Sequence, residues 1–349
     1  MAYTTINKGS LYMNPVLYTG NGGTQSITGA GFQPDWTWIK RRDADSWHQV
    51  NDSVRGAGKV IHTNVTNAEG TQTNNLTSFD TDGFSVGNGD VNNSSAPFVS
   101  WNWKAGGTAS SNTAGSITSS VSANTTAGFS VVTYTGNGTS GSTIGHGLTS
   151  VPSMIIVKRR NATNGWAVYH KTLGTGSEVY LNLTQAVTSS NFWITTPTTS
   201  VFSVSSSDYV NTSSDTYVAY CFAEKKGFSK FGSYVGTGSS TGTPFIYTGF
   251  KPAFVMTKIS SGTSDDWTMT DIVRDNAVGG GNGTGARLQA NYSGAEAVNT
   301  TYASIQKYSN GFSPQGNLNV TNGSGYTYIY MAFAEHPFVG SDGTPVTAR

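Results

Sequence analysis

The sequence predicts an all-β protein made of three tandem β-sandwich domains, jelly-roll or lectin-like, related to one another as internal repeats. Three observations predict this. Four sequence landmarks recur three times in the same order. Apolar residues follow a two-residue period, and turn residues arrive roughly every 8 to 12 positions, as in sandwiches. Finally, 43 glycines and abundant Ser, Thr and Asn replace charged residues, which make up only 11% of the chain; this mix favours short strands and tight turns over helices. A chain of 349 residues also exceeds what one hydrophobic core usually serves, and three copies would take about one hundred residues each.

The first landmark is the phrase Tyr-x-Gly-x-Gly, at 18–22, 134–138 and 234–238. Placed at a strand end in every copy, it reads as a turn or bulge in which glycine supplies positive φ and the tyrosine anchors the core. The second is an apolar strand that opens on a proline and ends in lysine: PDWTWIKRR from Pro34, PSMIIVKRR from Pro152 and PAFVMTKIS from Pro252. Trp47, Trp166 and Trp267 follow Lys40, Lys158 and Lys258 across a polar turn and read as equivalent core residues. The third is a turn leading into Phe-Ser, TDGFSV at 81–86, TSVFSV at 199–204 and SNGFSP at 309–314. The fourth is a closing strand, FVSWNWKAG from Phe98, YVAYCFAEK from Tyr217 and YIYMAFAEH from Tyr328, with Trp103, Phe222 and Phe333 in equivalent places. Both faces of that strand are apolar, which suits a strand covered on two sides.

The copies then span residues 1–107, 128–227 and 228–349, the last with a C-terminal tail. Residues 108–127 are rich in Gly, Ser, Thr and Asn and read as a linker that is flexible or extended over a neighbour. Residues 284–297 are the one stretch in which a helical turn is plausible by composition.

Most chemical signals give way to structural ones. A net charge of +1 offers no field to gather nucleic acid or anionic lipid. No apolar run is long enough to span a bilayer, and the N-terminus lacks signal-peptide features. Cys221, the only cysteine, stands at a core-type position between Tyr220 and Phe222. The five histidines show no metal-ligand spacing, Asp80-Thr-Asp82-Gly83 lacks the remaining ligands of a calcium loop, and the glycine run at 279–285 lacks a phosphate-loop ending. The N-x-S/T triplets, such as Asn64-Val-Thr66 and Asn182-Leu-Thr184, read as a product of composition. No cofactor and no catalytic residue is expected. Candidate contacts to a partner or glycan are Trp36, Trp38 and Trp193, taken with Trp47 as exposed aromatics that could stack on sugar rings although core packing is the better reading of Trp47, and Arg41, Arg42, Arg159 and Arg160. For these basic pairs the alternative is a strand end whose charges prevent wrong pairing.

The opening YTTINKGSLYMNPVLYTGNGGTQSITGAGFQPDWTWIKRRD, the later VPSMIIVKRR, the segment YVAYCFAEKKGFSKFGSYVGTG and the closing AEHPFVG resemble an uncharacterised repeat family of tailed bacteriophages, notably those of marine bacteria. The resemblance implies a non-enzymatic virion protein, displayed on the particle surface as a head decoration or fibre protein, made in the host cytoplasm and partnered by capsid or tail proteins. A tail fibre or receptor-binding protein that grips host surface glycans is the alternative, and a glycan-cleaving enzyme ranks third.

Overall fold

The computed structural model describes residues 4–274, 285–298, 305–340 and 344. Its strands form three large and three small antiparallel sheets, none of them closed. In the first large sheet the order is Met13–Thr19, Pro97–Trp103, Trp36–Arg41, Gln49–Asp52, Lys59–His62 and Gly70–Thr71. Ser229–Val235, Thr327–Pro337, Phe250–Ile259, Thr268–Asp271, Ala286–Gln289 and Ala297–Val298 repeat that order in the third. The second has Phe129–Thr135, Thr216–Ala223, Pro152–Arg159, Trp166–His170, Ser177–Tyr180 and Thr188–Ser189 in the same sequence, extended by Ser119–Asn124 and Ser110–Asn112. The segment expected as a linker therefore supplies two paired strands: its Ser and Thr side chains cost nothing on a solvated edge, and its backbone has a ladder to join. Where a helical turn was expected within 284–297, the chain forms the strand Ala286–Gln289, whose Ala286 and Leu288 point inward while Arg287 and Gln289 stay outside. The glycine run at 279–285 lies, apart from Gly285, outside the described residues.

Each closing strand is buried on both faces, and in the first two copies its alternation sends the two faces to different cores. Val218, Tyr220 and Phe222 enter a central core, while Tyr217, Ala219 and Cys221 pack with Ile144, Phe202 and Val204 of a small sheet. In the first copy Val99, Trp101 and Trp103 face inward, whereas Phe98 meets Ile27, Phe84 and Val86. The central core is common to all three large sheets. Trp103, Phe222 and Phe333 form a triangle of nearly equal sides, with ring centroids 6.4, 5.8 and 6.0 Å apart. The three aromatics thus meet in one core shared by the three large sheets, and the first two copies keep a second core of their own beneath their small sheets.

Polar contacts between successive copies repeat around that shared core. Glu69 N–H donates to the Arg160 carbonyl, Glu296 N–H to that of Arg42 and Val187 N–H to that of Ser260. Around the first two of these contacts lies a buried charge network. Arg55 bonds Asp52 at 2.5 Å and Glu69 at 3.1 Å, Glu69 continues to Arg160 at 2.9 Å, and the Tyr220 hydroxyl of the next copy donates to Asp52 at 2.8 Å. Arg274 repeats this with Asp271 at 2.6 Å and Glu296 at 3.0 Å, Glu296 continues to Arg42 at 2.7 Å, and Trp101 Nε1 donates to Asp271 at 2.9 Å. At the third contact every charged member is absent together: His170, Leu173, Val187 and Ser260 occupy the matching positions, with Leu173 and Val187 packed against the central core. His170 Nε2 lies 3.2 Å from the Tyr330 carbonyl, because Met331 at the place of Tyr220 and Trp101 has no donor.

Lys40, Lys158 and Lys258 sit on the inward parity of their strands and are fully buried. Backbone carbonyls hold each ammonium: Lys158 reaches Thr66 and Asn164, Lys258 reaches Thr184, and Lys40 reaches Ala44. Burial lowers all three to a pKa of about 8. The glycine phrase proves to be local geometry. Gly22, Gly138 and Gly238 take φ of 72°, 74° and 65°, and a Cβ on Gly20 would fall 2.2 Å from the Asn93 carbonyl oxygen. Buried Asn92 closes the loop by accepting from Asn21 N–H at 2.9 Å and donating to the carbonyls of Gly23 and Gly87.

Candidate functional site

A recess opens in the first copy on the outer side of its large sheet. Arg41 ends one strand, Gln49 opens the next, His62 ends a third, and the helical turn Asp90–Asn92 brings Asp90 alongside. Together with Trp47 from the loop at 42–48 they line a cavity of about 340 Å³, whose apolar floor is Ile39, Val91 and Phe98. Asp45, Gln72 and Asn93 complete a polar rim.

Trp47 is 49% exposed. It meets His62 in an edge-to-face pair, with centroids 5.1 Å apart and planes at 65°, which orients the indole. Burial holds His62 down to about 4 against the pull of Asp90, so the imidazole is neutral near pH 7. Arg41 is tied to Asp43 by two bonds of 2.7 and 3.3 Å, and that bond raises its pKa. Gln49 is held in place by Asn51 and Asn75, at 2.8 and 2.6 Å.

The second copy shows what ordinary packing does with the same space. Strand pairing and carbonyl contacts place Tyr180, Phe192 and Tyr209 where the first copy has His62, Asn75 and Asp90. The three rings pack on one another, Phe192 stacking on Tyr209 at 4.8 Å and Tyr180 meeting Tyr209 at 5.3 Å. What is a small aromatic core in one copy is a polar recess in the other.

Several residues singled out from the sequence lie elsewhere. Trp36, Trp38 and Trp193, taken as exposed aromatics, are 2%, 1% and 2% exposed. Trp36 stacks on Tyr220 at 4.6 Å in the central core, Trp38 donates to His48, and Trp193 packs edge-on against Tyr169 under the second small sheet. Inward parity on a strand covered by two layers accounts for the first two. The arginines form neither a free basic patch nor a bare strand end: Arg42 and Arg160 reach Glu296 and Glu69 of neighbouring copies, Arg159 pairs with Asp215, and Arg41 pairs with Asp43. Of these, Arg41 alone lines the cavity.

Trp47 is also not the counterpart of Trp166 and Trp267. Lys158 pairs across its hairpin with Trp166, and the same register in the first copy sets Lys40 opposite His48. His48 is fully buried, and its Nδ1 accepts the Trp38 indole N–H at 2.9 Å, which places the ring proton on Nε2. Three of the N-x-S/T triplets read as composition turn out to be a fifth landmark. Asn64, Asn182 and Asn291 each accept one backbone N–H, from His48, Trp166 and Trp267, and the carbonyls of Thr66, Thr184 and Ser293 bond the neighbouring copy. Their spacing carried the signal, since Asn64 and Asn182 each follow their lysine by 24 residues.

Among the described residues, no group of three or more His, Cys, Asp or Glu is placed to hold a metal ion, and no helix is long and apolar enough to cross a membrane. Cys221 is buried, and burial pushes its thiol far above the ordinary range. No curated protein and no solved structure matches the chain. One family model, described as a domain of unknown function (DUF7483), matches residues 8–337 as a single unit, and the chain belongs to that family.

Proposed function

We propose that the protein is a non-enzymatic structural component of a tailed-phage virion, displayed on the particle surface as a head decoration or fibre protein, its sheets being tandem copies of one sandwich module. The observation that carries the reading is the aromatic triangle of Trp103, Phe222 and Phe333, which closes one polypeptide into a pseudo-threefold body. A monomer of that shape offers near-equivalent surfaces to a threefold position of a shell or fibre. Two further features fit. Buried charges join the copies, a use that favours rigidity, and the sequence resembles an uncharacterised repeat family of tailed bacteriophages in its opening segment, in VPSMIIVKRR, in YVAYCFAEKKGFSKFGSYVGTG and in AEHPFVG. Its partners are then other virion proteins, and its place is the assembled particle.

A second reading, a tail fibre or receptor-binding protein for host surface glycans, is favoured by one specific observation, the exposed Trp47 over a polar cavity. Copy number in purified particles tests the proposal. Hundreds of copies per particle support decoration and a few to a few dozen support a fibre. Absence from the particle, or release of oligosaccharides from host polysaccharide, overturns it.

A further inference from the structure

We infer that the Trp47 cavity is a binding site for an uncharged saccharide ring. The inference deepens the receptor-binding reading by naming its site and ligand class, and it stands or fails apart from the protein's location in the particle. A pyranose offers an apolar face of C–H groups and a belt of hydroxyls, so its receptor needs an aromatic face beside short polar side chains. Trp47 provides the face, held by its edge-to-face pair with His62, and Asp45, Asp90, Asn93 and Gln72 provide donors and acceptors around it.

The charge of the ligand follows from the rim. Two carboxylates line the cavity, while the one cation, Arg41, is occupied by Asp43, so an anionic sugar would meet net repulsion. The comparison within the molecule shows that the recess is not forced by the fold. The matching positions of the second copy hold Tyr180, Phe192 and Tyr209, which fill the space with stacked rings. At Trp47 itself the second copy has Gly165 and the third Asp266, so the exposed indole belongs to the copy that has the recess.

The protein reports on this site without a label. Of its eight tryptophans, seven are no more than 2% exposed, and Trp47 is 49% exposed. Acrylamide quenching of tryptophan fluorescence in the full-length protein therefore reads Trp47, and Trp47→Phe must remove the quenchable component. Neutral pyranoses, hexoses and N-acetylhexosamines, are titrated beside glucuronate and the acyclic polyol mannitol. The inference expects at least one neutral pyranose to shield Trp47 with a dissociation constant on the order of millimolar. Glucuronate and mannitol should not shield it, and Asp90→Ala should weaken the shielding about tenfold while leaving the melting temperature unchanged. Shielding by none of the neutral sugars, or by glucuronate or mannitol to the same extent, overturns it.

Discussion

Removing Arg55 alone should cost far more than removing the whole network to which it belongs. Arg55 and Asp52 have fully buried side chains, and Arg55 also donates to the Val50 carbonyl and, at 3.3 Å, to the Tyr220 hydroxyl. Arg55→Leu leaves Asp52 a buried carboxylate without its ion pair, while Glu69 keeps Arg160, a loss of about 3 to 5 kcal/mol for one partner of a buried pair. The molecule already contains the neutral solution at its third contact, in His170, Leu173, Val187, Ser260 and Met331. Copying that set, as Asp52→His, Arg55→Leu, Glu69→Val, Arg160→Ser and Tyr220→Met together, leaves no charge unpaired and lets the new imidazole donate to the carbonyl of residue 219.

Unfolding entropy of about 2.1 cal/mol/K per residue converts the single-mutant loss to a fall of about 4 to 7 °C in melting temperature for a chain of 349 residues. The fivefold variant should recover more than half of that fall. Calorimetry on the two variants and the parent decides it. A fivefold variant that melts lower than Arg55→Leu would show that the charges stabilise the joint by their pairing and would refute the reasoning.

Three further outcomes follow from the same structure. Burial lowers His48, His62, His146 and His170, with His62 and His170 at about 4. The unfolded chain therefore takes up protons first as the pH falls below about 6.5, and stability should drop from there toward pH 4 by up to about 1.4 kcal/mol per pH unit for each histidine; urea midpoints across that range check it, with a shallower slope in His170→Gln. At the alkaline end Lys40, Lys158 and Lys258 lose their protons near pH 8 in the folded state but near 10.4 when unfolded, so stability should rise above pH 8 until the unfolded tyrosines ionise near pH 10. A stability optimum below pH 8 would contradict the buried lysines. Asn92→Ala deletes four hydrogen bonds that close the first glycine loop and should cost about 2 to 4 kcal/mol, read as a midpoint shift in urea unfolding, whereas Asn93→Ala on the rim should cost less than 1.

Strand class and repeat order were legible in the sequence because strand period and turn chemistry are local, and a landmark such as Trp103, Phe222 and Phe333 marks the same depth in each copy. What the landmarks could not reveal was where that depth lies. A strand apolar on both faces fits a sandwich with its own interior as well as one face of an interior shared by three sheets, and the two differ only in contacts between residues more than one hundred positions apart. Trp36 and Trp38 were misplaced for that reason, since an aromatic on a strand near charged residues reads as exposed until a second layer is known to cover it. The misplacement of Trp47 has a different origin. Aligning tryptophan with tryptophan puts Trp47 in the core, whereas hairpin register aligns Trp166 with His48 and sets Trp47 outside. A shift of one residue moves a side chain to the opposite face. The site became visible through that shift: once His48 takes the core position, Trp47 is an exposed indole that packing does not need, beside a recess that the second copy fills with aromatic rings.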